Sequence, residues 1–266
     1  MIRPVANRKA VLRFVGVFLL LAAGLASLGV WSLHRQLSSA QSRAVSLVNE
    51  LRSLRIEVSP YQEAKQIADK YGTVKADSDW GLFDCTDGYF QRCRYEIVVQ
   101  RPWVSRMLFR FPFSKLPGLR YWNGTADILV NDGKVSEYSF SAVFRTPDGQ
   151  WRGLGAEETS LFGERAVEAK VSDSYRIERN DLIMTASDYP NKGYQLMASV
   201  MGQATTIERQ RAWHFNLGCL TQPEGCREIC DVQPDAWKDF YLGRGRLDAA
   251  KYGERYAFCT DAALLK

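Results

Sequence analysis

The sequence predicts an α+β protein of two unlike parts: an N-terminal transmembrane helix with a helical stalk, then an antiparallel-sheet ectodomain with a packed helix and a disulfide-stapled C-terminal region. Three observations carry this prediction. A charge-free apolar run lies near the N-terminus, period-two alternation bounded by turn residues fills the middle, and six cysteines all fall C-terminal to the apolar run. The expected divisions are a basic tail at 1–13, a span at 14–33, a stalk at 34–58 and an extracytoplasmic domain at 59–266, with a subdivision near residue 160 as one option.

The span comes first. Phe14 to Leu33 is a run of twenty residues without a charge, and at about 1.5 Å per residue it crosses the roughly 30 Å hydrocarbon core of a bilayer. Gly24 and Ala26 would suit a signal-peptide cleavage site, but apolar residues continue through Leu28, Val30, Trp31 and Leu33. That length favours a retained anchor over the short apolar region of a cleaved signal. Arg3, Arg8, Lys9 and Arg13 precede the run with no acid among them, which marks the cytoplasmic side and sends the C-terminal domain out, to a bacterial periplasm or the cell exterior.

The net charge of +5 does not announce a nucleic-acid partner. Residues 1–57 hold eight basic and two acidic side chains, leaving 27 basic and 28 acidic side chains on the remaining 209 residues. The excess belongs to the membrane-proximal segment, whereas a nucleic-acid-binding domain carries its positive charge on the folded part.

Beyond the span, Leu37, Ala40, Ala44, Leu47, Leu51, Leu54 and Val58 follow a 3-4-3-4 spacing that lines one helix face. Two uses of that stripe are open, a homodimer through residues 37–58 or packing against the protein's own domain. Ser59-Pro60-Tyr61-Gln62 reads as a new helix start with Ser as cap and Pro at the first helical position. Tyr61, Ala64, Ala68 and Tyr71 then form its buried face, and Gly72 stops it.

The pattern next switches to strands. Tyr138, Phe140, Ala142 and Phe144 alternate with Glu137, Ser139, Ser141 and Val143, and this segment is bracketed by Asn131-Asp132-Gly133 and Pro147-Asp148-Gly149. Segments 94–100, 121–130, 151–155, 175–186 and 194–200 complete an expected antiparallel meander. Thr205-Thr206-Ile207-Glu208 is a capping-box signature opening a late helix.

An even number of cysteines, all beyond the span, points to disulfides in an oxidising compartment. Proximity favours Cys85 with Cys93, then Cys219 with Cys226, which leaves Cys230 for Cys259. Cys226 and Cys230 are spaced C-x-x-x-C, neither a thioredoxin-like redox pair nor a zinc knuckle.

No catalytic constellation is evident, and nothing calls for a metal or a cofactor. His214 is the sole histidine of the ectodomain, so an envelope hydrolase would have to use it, yet no G-x-S-x-G or H-E-x-x-H accompanies it. The most unusual composition is the acid-free stretch from Ile97 to Ala126. It holds Arg101, Arg106, Arg110, Lys115 and Arg120, interleaved with Trp103, Phe109, Tyr121 and Trp122. Basic and aromatic residues together near a bilayer suit an anionic lipid surface or a protein partner. The plainer reading is a long loop or hairpin with its aromatics in the core and its arginines solvated.

In layout, an apolar N-terminal helix, a helical extension and an α+β head with a late disulfide resemble type IV pilins and pseudopilins. Gly16 is followed here by Val17, and Leu21 stands where that family has glutamate, so the resemblance implies an architecture and not the family's processing. The function expected from these features is a membrane-anchored extracytoplasmic interaction or ligand-binding domain, or an accessory subunit of a larger membrane complex.

Overall fold

In the computed structural model the described residues are 8–74, 83–85, 92–110, 119–160, 175–179, 182–189, 193–201 and 204–244. One helix, α1 (Arg8–Leu51), runs without interruption from the apolar segment into the core of the folded domain. Its N-terminal half is long and apolar enough to cross a membrane, and Phe14, Phe18, Leu20, Leu25, Leu28 and Trp31 are exposed along it. Burial begins abruptly at Leu33, and Leu37, Ala44, Leu47 and Leu51 are fully enclosed.

That enclosure decides the use of the 3-4-3-4 stripe. Leu37, Ala40, Ala44, Leu47, Leu51 and Leu54 belong to the same hydrophobic core as the sheet, so the homodimer seam through residues 37–58 is already filled by this chain. The physical reason is partly the small side chains: Ala40 and Ala44 let the 3₁₀ turn Leu217–Thr221 come close to α1, where Thr221 Oγ1 donates to Gln41 Oε1. Val58, the last position of the stripe, is exposed instead.

After a turn, α2 (Tyr61–Tyr71) folds back on α1. Pro60 occupies the cap position, one residue later than expected, while Ser59 Oγ accepts from the Arg55 N–H. Ala64, Ile67, Ala68 and Tyr71 are the buried face, and Tyr61 is only half-buried. The Tyr71 hydroxyl donates to Glu50 Oε1 at 2.9 Å, and the Arg43 guanidinium donates to the Tyr71 carbonyl, which fastens α2 to α1. Burial, with the Glu50 carboxylate beside it, pushes the Tyr71 phenol up to about 12.

Among the described residues the sheet has eight strands: β1 (Phe83–Asp84), β2 (Arg92–Val98), β3 (Trp122–Asn131), β4 (Lys134–Arg145), β5 (Trp151–Thr159), β6 (Tyr175–Arg179), β7 (Leu182–Tyr189) and β8 (Gly193–Met201). Their spatial order is β1-β2-β3-β4-β5-β8-β7-β6. The β2 to β5 run is the expected meander. The sheet as a whole is mixed, because β8 lies parallel to β5 and β1 parallel to β2. The expected single strand at 175–186 is instead parts of β6 and β7, which pair with each other antiparallel. The β3–β4 turn places Asp132 at φ 49° and Gly133 at φ 75°, the two left-handed residues that a two-residue hairpin of matching twist requires.

Register puts Ile97, Ala126, Phe140, Ala156 and Ala198 side by side on one face, all buried. The helices cover this face: Tyr138 packs on Trp213 at 5.2 Å and Phe140 on Phe215 at 5.4 Å. The opposite face carries small and polar side chains, including an Arg94–Asp127 pair at 2.7 Å and a Thr125–Ser141 hydrogen bond. The result is two layers with one core between them.

The C-terminal part comprises α4 (Thr206–Ala212), the 3₁₀ turn, α5 (Ile229–Val232) and α6 (Pro234–Arg244). Thr205 and Glu208 complete the expected capping box on α4. Two disulfides join Cys85 to Cys93 and Cys219 to Cys226, as their closeness in sequence suggests. Cys230 is disulfide-bonded as well, while Cys259 lies outside the described residues.

Candidate functional site

The unusual basic–aromatic stretch forms a helix, α3 (Pro102–Arg110), at one end of the sheet. The expectation of a loop or hairpin there is therefore corrected. Proline at the first helical position suits a helix start, and the Ser105 hydroxyl donates to Gln100 Oε1 just before it. Val104 and Leu108, four residues apart, are buried against the sheet end. Ser105 and Met107 are half-buried, while Trp103 is 48% exposed, Phe109 is 65% exposed, and Arg106 and the preceding Arg101 are exposed.

Phe109 leans on Tyr121 and Trp151, with centroids at 6.1 and 5.9 Å, and Tyr121 meets Trp151 edge-on at 5.0 Å. The Arg145 guanidinium stands 5.8 Å over the Trp151 ring, within the range of a cation–π contact. Ser105, Arg106, Phe109 and Tyr121 line an open depression of about 400 Å³. The chemistry on offer is apolar ring surface rimmed by guanidinium groups, suited to holding an anionic, partly apolar ligand.

The candidate residues separate into different roles. Trp103 and Arg106 share the exposed side of α3, and Arg101 is exposed immediately before it. Arg110 is the last residue of α3, and Lys115 lies outside the described residues. Arg120 braces the fold: its Nη1 donates to the Pro223 carbonyl at 3.0 Å, and burial lowers its pKa. It fills the space above Gly225, where an added Cβ would collide with the Arg120 guanidinium. That glycine, at φ 68°, closes the Cys219–Cys226 loop.

A second polar cluster sits at the other end of β4 and β5. Glu158 is 1% exposed on the core face, where it accepts from the Tyr138 hydroxyl at 2.6 Å and pairs with Arg209 at 2.9 Å. Burial raises the Glu158 carboxyl above its ordinary range, with the Tyr138 hydrogen bond and the Arg209 charge opposing. Burial beside that carboxyl likewise raises the Tyr138 phenol. Arg52, Thr206, Gln210 and Trp213 complete the lining of a cavity of about 180 Å³. The sequence holds a signal for this cluster: adjacent Glu157 and Glu158 must face opposite sides of a strand, so one of them has to enter the core.

His214 lies at the surface with Nδ1 2.9 Å from Asp235 Oδ2. A carboxylate so placed orients an imidazole. Cys226 is committed to Cys219, so Cys226 and Cys230 do not form a redox or metal pair.

Comparison with protein-family models, with curated proteins and with solved structures finds no match for this chain.

Proposed function

We propose that the protein is a membrane-anchored, extracytoplasmic interaction domain of the cell envelope whose working surface is Arg101 together with the exposed side of α3, formed by Trp103, Arg106 and Phe109. One observation carries the reading. The buried charges of the ectodomain find partners within the chain, as Glu158 does in Arg209 and Arg152 in Glu228, whereas the α3 side chains are presented outward beside exposed aromatic rings. Charged residues that a fold needs are enclosed and paired, and aromatic–arginine surfaces are what interfaces use. Disulfides support an oxidising compartment, and the basic residues before Phe14 support a cytoplasmic N-terminus.

Photocrosslinking in cells tests it. A photoreactive residue at 103 or 109 of the full-length protein should give adducts, to a protein or to lipid, and the same residue at 139, on the outer sheet face, should give none. Equal adducts at all three positions, or none at 103 and 109, would remove α3 as the working surface. The rival, a hydrolase using His214, is favoured by the Asp235 contact alone. His214→Ala should leave the adduct pattern and the cellular phenotype unchanged, and loss of the phenotype with the adducts intact would favour the rival.

A further inference from the structure

Resting on that reading of α3, we infer that the partner of this surface is the anionic headgroup layer of the membrane that anchors the same chain. Position points to it. Three contacts tie the segment that follows α1 to the start of β4 and the turn before it: the Tyr138 hydroxyl, which donates to Glu158, lies 3.3 Å from the Leu54 carbonyl, the Glu57 N–H donates to the Val135 carbonyl at 2.7 Å and the Tyr61 N–H to the Gly133 carbonyl at 2.8 Å. This is the end of the ectodomain farthest from the apolar half of α1.

The other end of the sheet is tied to α1 further toward its N-terminus. Thr221 holds Gln41, and two residues later the Pro223 carbonyl holds Arg120, which lies two residues before β3. Register places Trp122 beside Phe144 and Arg145 beside Trp151, and the Val99 N–H donates to the Gly124 carbonyl immediately before α3. The Phe109, Tyr121 and Trp151 rings therefore stand at this same end.

Lengths agree. β4 has 12 residues, so its ends are separated by about 37 Å, and the stretch of α1 from Leu33 to Leu51 covers about 27 Å. The sheet thus reaches from the buried end of α1 back toward the point where burial begins.

No spacer intervenes. α1 is a single helix from Arg8 to Leu51, Trp31 is exposed and Leu33 is already 4% exposed. The Arg35 guanidinium lies 5.4 Å over the Trp31 ring, a pairing suited to the bilayer interface. With the apolar half in a membrane, the ectodomain starts at the headgroups and α3 faces them. Its exposed rings suit the headgroup–acyl boundary, and Arg101 and Arg106 suit the phosphates above it.

Full-length protein carrying an environment-sensitive fluorophore on Trp103→Cys, with Asp132→Cys at the opposite end as control, tests this in vesicles containing lipid-borne quenchers. In vesicles with a third phosphatidylglycerol, position 103 should be quenched at least twice as strongly as position 132, and the difference should shrink in high salt. Each arginine near an anionic surface is worth about a fivefold gain in occupancy, so Arg101→Gln with Arg106→Gln should lower the docked-to-free ratio roughly twenty-fivefold. The melting temperature should hold, since both side chains are exposed. Quenching that ignores lipid charge and the arginine changes would overturn the proposal, as would deeper quenching at 132. Discrete protein adducts at 103 in cells, with no quenching in vesicles, would keep α3 as the working surface and replace lipid by a protein partner. Neither adducts nor quenching would end both readings.

Discussion

The two ends of the sheet use the same side-chain types for opposite purposes. At the far end Tyr138, Glu158 and Arg209 are joined by bonds of 2.6 and 2.9 Å, with Glu158 enclosed. At the near end Trp103, Arg106 and Phe109 are presented outward. The near end also contains the contrast within itself. Arg152 is 1% exposed and held by Glu228 and Gln150, while Arg106 faces solvent. An arginine or a tryptophan is thus a candidate for a working surface only where it is presented outward and not enclosed.

The largest test of that contrast is Arg152→Ala set beside Arg106→Ala. Removing one member of a buried ion pair costs about 3 to 5 kcal/mol, whereas a change on an exposed side chain stays within about 0.5 kcal/mol. Denaturant melts of the two variants should differ accordingly. Equal losses would mean that α3 arginines brace the fold.

Next in size is the attachment of the folded domain to α1. Leu47 is fully buried in the shared core, so Leu47→Ala should cost about 2 to 5 kcal/mol. For the same reason a fragment beginning at Val58 lacks part of its core, and it should melt far below one beginning at Leu33. Identical melting of the two fragments would show that the stalk is dispensable.

The smallest effect is a pH dependence at the far end. Burial raises the Glu158 carboxyl in the folded state above the ordinary 4.5, so the native state holds this proton more tightly than the unfolded chain does. Stability attributable to Glu158 is therefore present below the ordinary carboxylate value and declines as pH rises through the raised one. Wild type should lose stability relative to Glu158→Gln over that window. A difference that stays constant across that window would remove desolvation as the dominant cause.

Much of this arrangement is legible in the residues. The alternation from Tyr138 to Phe144 marks β4 and its buried face because a period of two has no helical equivalent, and the Asp132-Gly133 turn fixes its pairing with β3. Short spacing predicts both observed disulfides. The parallel β5–β8 pairing is not legible: β6 and β7 intervene in sequence, and local pattern carries no information about which distant strand becomes a neighbour. α3 escapes sequence reasoning because alternating arginines and large rings obscure a helical face that rests on two buried residues, Val104 and Leu108. The stripe from Leu37 to Leu54 marks a buried face, but spacing alone cannot say whether a second chain or the same one buries it. Arg120 looks like its neighbours in composition, and only the Pro223 contact separates it from the exposed arginines.

The orientation of the folded domain on its helix is the central claim, since the role given to α3 depends on it, and intramolecular distances test it most directly. Spin labels at residues 31 and 103, compared with labels at 31 and 132, would be measured by double electron–electron resonance on full-length protein in nanodiscs. The expected result is a narrow 31–103 distribution centred well short of the 31–132 distance. A 31–132 distance equal to or shorter than 31–103 would place α3 away from the membrane and contradict the claim.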